Sequence, residues 1–348
     1  MIIRSEEPKV LEYPFATLDS CITPNEKFYV RNHFPEPVID VDSWRLTVDG
    51  DVLTMLQLTY DELLKMPSKT IVCTLECAGN NRLFLTPPVS GVQWELGGTS
   101  TAEWTGVPLS AVLALAGPRP DALEIVLEGA DRGKLDDDPE QRESIPFARS
   151  IPLTKAADLD VLLCYQMNGQ TLSPDHGYPL RAIVPGWYAM ASIKWLTRIN
   201  VINHVFGGYW QTTDYAYWTE QNGQRVRTPI TEMLVKAQIS HPQSGEVVPT
   251  HSTYLITGAA WAGESTIAKV QISVDNGLTW SEAKLLGPSI RNSWCFFEHT
   301  WKTPKETGSY TVIARATDDR GNVQPDEHHP DRGAYMINHC LPIGVEVV

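Results

Sequence analysis

Cys77 closes an apolar, β-branched run, TIVCTLEC (70–77), and is followed at once by Ala-Gly-Asn, with Arg82 five residues on. A thiol where a strand becomes a loop can serve as a disulfide half, a zinc ligand, a nucleophile, a ligand for a heavier metal, or simply as packing. Cys73 lies four residues earlier, but along a strand that spacing is ~13 Å, too far for a bond or shared ligation. Zinc would need a second pair of soft or imidazole ligands at short spacing, and the nine histidines are scattered. A nucleophilic thiol would need a base that the sequence does not locate. Gly79, lacking Cβ, lets the backbone approach a bulky group, and Arg82 adds a permanent charge.

The rest of the composition narrows the setting. The chain has 348 residues, enough for two domains of moderate size, and a formal net charge of −14, which argues against nucleic acid or an anionic membrane as partner. No run of apolar residues is long enough to span a bilayer. Six sparse cysteines, mostly in apolar company, are expected to be free thiols in a reducing compartment. Glu6, Glu7, Pro8 and Pro14 stand where a signal peptide carries its apolar core. A cytoplasmic location is therefore expected, or a periplasmic one if a signal was removed.

The elements that must hold these residues are mainly strands: WRLTVDG, TIVCTLEC, LEIVLEG, VLLCYQMNG, LRAIVPG and IKWLTRINVI. TYDELLKM reads as a helix capped by Thr59 with Glu62 three residues on, and PLSAVLALAG as one that stops at Gly117. This mixture predicts an α+β domain over residues 1–230. Beyond RTPITEM the pattern alternates with period two, and VQISVDNGLTW predicts a hairpin on a type I′ Asn276-Gly277 turn. Residues 231–348 are therefore expected to form an immunoglobulin-like β-sandwich, the boundary falling between residues 226 and 236. The acidic run LDDDPEQRE (135–143) lacks the spacing of a calcium loop and reads as a solvated loop. His328 and His329 read likewise as loop residues. Taken singly, Arg31 could lie on a solvated face, His176 in an ordinary turn, and Tyr215 in a packed strand end.

TLECAGNNR resembles the Cys-Ala-Gly-Asn motif of the sulfite oxidase family of molybdopterin-dependent oxidoreductases, here in its bacterial type without a haem domain. FYVRNHFP (28–35), WELGGTSTAEWTGVPLSAVL (94–113), MNGQTLSPDHGYPLRAIVPGWYAMASIKWL (167–196), YWQTTDYAYW (209–218) and the tail NVQPDEHHPDRGAYMINH resemble further family segments, in the family's order. The resemblance implies a molybdopterin-binding domain followed by a dimerisation domain, and oxidation of sulfite to sulfate by oxygen-atom transfer. It implies Cys77 as molybdenum ligand, with Arg31, Arg82, Arg332 and Tyr215 around the oxyanion. Molybdopterin is expected to be held by Tyr29, Val30, Arg31, Asn32, His33, Asp131, His176, Arg181, Ser192, Ile193 and Lys194.

Two departures stand out. Asn81 occupies the place of a second arginine in many animal and plant members, which lowers the positive charge expected near the metal. Trp187-Tyr188 and Ala189 stand where eukaryotic members have smaller residues and glycine, and the two aromatics are expected to narrow or reshape the pocket. No cytochrome b5-type His-Pro-Gly-Gly segment and no flavin or nicotinamide motif is present, so electrons are expected to pass to a separate cytochrome or to oxygen. A homodimer is the expected assembly. The rival readings are a reductase of nitrate or a sulfoxide using the same cofactor, and a non-catalytic assembly module.

Overall fold

The computed structural model describes residues 1–135 and 143–348, so most of the acidic run 135–143 lies outside the described residues. The chain is rich in strands. Among the described residues the longest helix, Leu109–Ala116, has 8 residues, and none is long and apolar enough to cross a membrane.

The strand that delivers Cys77 is Lys69–Glu76. Its β-branched Thr70, Ile71, Val72 and Thr74 suit a pleated surface, and it is exposed at its start and buried over its last four residues. It pairs antiparallel with Thr99–Pro108, setting Glu76 opposite Thr99, and Leu162–Met167 follows on the far side of that strand. A second five-stranded sheet carries Leu46–Gly50, Leu196–Ile202, Glu124–Gly133 and Ile145–Pro152. It is mixed, because Leu196–Ile202 runs parallel to Leu46–Gly50 and antiparallel to Glu124–Gly133. A small N-terminal sheet, Ile2–Ser5, Val10–Glu12 and Val30–Arg31, brings the FYVRNH segment alongside. Gly97 permits this approach: a Cβ there would lie 1.7 Å from the Tyr13 carbonyl oxygen.

Both predicted helices form. Tyr60–Lys65 has the full Thr59/Glu62 capping box, and Leu109–Ala116 ends on Gly117 at φ +67°. The six cysteines are all free.

Two C-terminal sheets, with Lys236–His241, Thr253–Trp261 and Cys295–Lys302 in one and Ile267–Ser273, Gly308–Asp318 and Ile343–Val347 in the other, bury a common core around Val270, Phe297, Val312 and Ala316. The hairpin predicted on Asn276-Gly277 differs in length. Both residues have positive φ, but Ile272 pairs with Ser281, so the connection is longer than a two-residue turn. The Asp275 carboxylate explains the difference: it accepts from Thr279 N at 2.9 Å, from Thr279 Oγ1 at 2.5 Å and from Ser273 Oγ at 2.7 Å, closing a side-chain-held loop instead. Trp261, Trp294 and Met336 leave the C-terminal part to join the main core of the first half. The two halves therefore share buried surface where the Cys77 loop lies.

Candidate active site

Cys77 leaves its strand as a tight loop. Its N–H donates to Gly98 O at 2.8 Å, its carbonyl accepts from Asn80 N at 2.9 Å, and Asn81 turns the chain in the left-handed region at φ +74°. The Cys77 side chain opens on a cleft.

The cleft gathers residues from six stretches of chain, the Cys77 loop and Phe147 among them. Tyr29, Val30, Arg31 and His33 come from the N-terminal segment, Asp131 from strand Glu124–Gly133, His176, Arg181, Ser192 and Lys194 from the long 167–196 block, and Tyr215 from beyond the helix Tyr209–Thr212. The Tyr215 hydroxyl lies 2.6 Å from His33 Nε2, and the His33 ring stacks on Phe147 at 4.2 Å. Burial, with Arg31 and Lys194 nearby, holds His33 well below the usual imidazole range, so it is neutral at pH 7. Burial raises the Tyr215 phenol above its ordinary value. Arg181 stacks over Trp104 at 4.7 Å and donates to His176 O and Ser192 O; His176 Nε2 is 3.0 Å from Asn25 O. Lys194 donates to Asn32 Oδ1 and to Asp175 O.

Several expected site residues lie elsewhere. Asn32 is behind the lining, reached through Lys194, and Ile193 is buried with its carbonyl bonded to Ala182 N. Arg82 does not line the cleft. Its Nε and Nη1 donate to the carbonyls of Ala334 and Val92, and its guanidinium lies 5.0 Å from the Tyr335 ring centroid. The absent side chain of Gly79 makes room for Arg82, since a Cβ there would lie 2.4 Å from Arg82 Nη2. Arg332 donates to Asn338 Oδ1 and lines a different pocket, with Glu232 and Asp318. Asn81 is buried in the turn, its amide donating to Glu95 O at 2.8 Å, and does not face the cleft. Trp187 and Tyr188 do not narrow the cleft either. Trp187 donates to Glu264 Oε1 and Tyr188 is buried, while Ala189 and Met190 form that wall. His328 bonds Gly333 O, and no group of three potential metal ligands exists among the described residues.

Sequence reasoning missed Phe28, Leu75, Ala78, Phe147, Asp175 and Met190 in the lining. Asp175 and Phe28 stood inside motifs already singled out; nothing in the sequence pointed to Phe147.

The donor set determines what fits. No group of three potential protein ligands stands with the Cys77 thiol among the described residues, which suits a metal that brings most of its own ligands, as the family resemblance implies for molybdopterin. Arg31, Arg181 and Lys194 face the cleft against Asp131 and Asp175, which favours an anionic, phosphate-bearing molecule. Arg181, which lines the cleft, has a buried Nε donor without a partner, a costly state that an acceptor would relieve. These residues fit molybdopterin carrying its metal.

The cleft's charges give a pH signature to the cofactor-free protein. Burial and Arg181 push Lys194 down to about 7, while burial pushes Asp131 up to about 7. Between about 7 and 10.4 the unfolded lysine holds its proton more tightly than the folded one, so stability rises with pH. Between about 3.9 and 7 the folded Asp131 holds its proton more tightly, so stability falls with pH. These two groups thus contribute a minimum near neutrality. Urea midpoints across pH should show the alkaline rise reduced in Lys194→Met and the acid-side fall reduced in Asp131→Asn; variants that track the wild type would contradict this.

Comparison with known proteins agrees with the geometry. Residues 33–210 match the oxidoreductase molybdopterin binding domain, and residues 227–340 the Mo-co oxidoreductase dimerisation domain. The chain is 37% identical over 346 residues to the mitochondrial sulfite oxidase of Rattus norvegicus, covering 94% of this chain and 62% of that one. It is 32% identical over 354 residues to the sulfite oxidase of Arabidopsis thaliana, covering 93% and 88%. The sulfane dehydrogenase SoxCD from Paracoccus pantotrophus superposes with a TM-score of 0.83 at 27% identity, covering 98% of this chain and 85% of that one. The chain spans less than two thirds of the rat relative's length. With a cleft that accepts the group and both family domains matched along its length, the chain belongs to the sulfite oxidase family and takes a molybdenum–molybdopterin cofactor.

Proposed function

We propose that this protein oxidises sulfite to sulfate, with water supplying the oxygen: sulfite and water give sulfate, two protons and two electrons, which pass to an external cytochrome or to oxygen. The observation that carries this is the meeting of Arg31, Tyr215 and the Cys77 thiol in one cleft. The bound cofactor supplies two-electron oxygen-atom-transfer chemistry. Cys77 provides the thiolate ligand; burial raises its thiol, and Arg31 and Arg82 oppose that rise and favour the thiolate. Arg31 draws in the oxyanion, since guanidinium stays charged and pairs with tetrahedral oxyanions through two bonds. Tyr215, held by neutral His33, presents a hydroxyl to the substrate. Arg181, Lys194, His176, Ser192, Asp131 and the segment 29–33 hold the pterin and its phosphate. Arg82 and Arg332 act from outside the lining, Arg82 by fixing the Cys77 loop.

Residues 1–230 make the catalytic domain in this proposal, and residues 231–348 an immunoglobulin-like sandwich that pairs two copies. The free thiols accord with a cytoplasmic location.

Metal-loaded protein assayed against sulfite and a sulfane-sulfur compound with an artificial electron acceptor, and against nitrate and a sulfoxide with an artificial electron donor, tests the substrate. Sulfite turnover is expected. Reduction of a sulfoxide or nitrate without sulfite oxidation would overturn the proposal, as would turnover of the sulfane compound alone, the reaction class named for SoxCD.

A further inference from the structure

Behind the cleft, next to the metal ligand in sequence, lies a fully buried carboxylate. Glu76 is 1% exposed, and its two oxygens meet donors from both halves of the chain. Oε1 accepts from Lys236 Nζ at 2.7 Å and from Asn80 Nδ2 at 3.2 Å, and Oε2 accepts from Trp261 Nε1 at 2.9 Å. Lys236 and Trp261 are directly paired across the C-terminal sheet, where strands Lys236–His241 and Thr253–Trp261 run antiparallel. Asn80 belongs to the Cys77 loop, bonds the Cys77 carbonyl through its N–H, and accepts from Gly98 N at 2.9 Å. Gln238, two residues along from Lys236, donates to Leu96 O at 2.9 Å and lies 3.4 Å from Asn80 Nδ2.

Such a pair is a poor way to gain stability. Taking both charges out of water costs most of what their attraction returns, and well-packed uncharged replacements are often as stable. What the pair does provide is direction. The carboxylate ties the residue before Cys77, and the loop after it, to one fixed point on the C-terminal sheet, so Cys77 is held from both sides.

We propose that Glu76 is a positioning residue for Cys77, anchored by Lys236 and Trp261, and that the C-terminal sheet thereby sets the orientation of the metal-ligating thiolate. The inference rests on Cys77 being the metal ligand, and not on the identity of the substrate.

The test uses holoenzyme and reads the paramagnetic resonance signal of the half-reduced metal alongside activity and unfolding midpoint. Glu76→Leu/Lys236→Met removes the pair without leaving a buried charge. It is expected to keep its metal content and midpoint, yet to shift the resonance signal and to lose roughly 10- to 100-fold in activity, as partners behind a metal ligand do. Glu76→Gln/Lys236→Met retains an acceptor for Trp261 and is expected to restore most of the wild-type signal. Trp261→Phe removes one donor and keeps a ring; it covers the case in which the leucine variant does not fold, and its signal should also shift. A folded, metal-replete Trp261→Phe or leucine variant with the wild-type signal would overturn the inference. Wild-type protein that gives the metal signal but does not turn over sulfite would sink the proposed substrate and leave this inference standing.

Discussion

Cys77→Ala is expected to abolish oxidation of sulfite by an artificial acceptor while leaving the chain folded. Partners that only orient a metal ligand already cost roughly 10- to 100-fold when removed, so loss of the ligand itself should exceed about 100-fold. The side chain is small and lies at the cleft edge of its core, so the stability change should be about 1 kcal/mol, typical of a single substitution. Activity measured beside a urea titration separates the two. Wild-type turnover in the alanine variant would remove the chemical role of the cleft altogether.

Arg31→Gln is the second large effect. Among the matched arginines assigned to the oxyanion, Arg31 alone lines the cleft with Cys77, and its Nη1 bonds the Asn32 carbonyl, which steadies the head group. A hydrogen bond to a charged group is worth about 1.5–3 kcal/mol. The variant should therefore lose roughly 10- to 100-fold in kcat/KM for sulfite, mostly through KM if Arg31 gathers the anion in the ground state. Arg31→Lys keeps the charge but not the fork and should recover only part of the loss. Arg82→Gln should behave differently. Its guanidinium is spent on the carbonyls of Ala334 and Val92, so destabilisation of the loop should accompany any loss of activity.

Much of the local structure is legible in the chain. The Thr59 and Glu62 spacing fixes a helix start because the two groups satisfy each other's backbone donors, and the run TIVCTLEC is long and β-branched enough to announce a strand. The Asn276-Gly277 turn was legible in its positive φ angles but not in its loop length, which Asp275 sets through its own side chain. The site is a different matter. Its lining comes from positions between 28 and 215, and no local pattern says that such distant segments converge. Family resemblance supplied the convergence for Arg31, Cys77, Arg181 and Tyr215.

Side-chain direction remained out of reach. Arg82 follows Cys77 closely enough to suggest a shared pocket, but the left-handed turn at Asn81 swings its guanidinium toward Val92 and Ala334. Trp187 and Tyr188 look like pocket walls in sequence, whereas Glu264 draws the indole N–H toward the C-terminal sheets. The Glu76–Lys236 pair joins residues 160 apart in sequence, and nothing near either of them announces the partner.

The central claim is that Cys77 binds the metal in this cleft. X-ray absorption at the molybdenum edge of cofactor-loaded protein, wild type against Cys77→Ser, tests it most directly. The serine variant should show one fewer sulfur neighbour at the metal, with an oxygen in its place. An unchanged sulfur count in a metal-replete serine variant would mean that Cys77 is not the ligand.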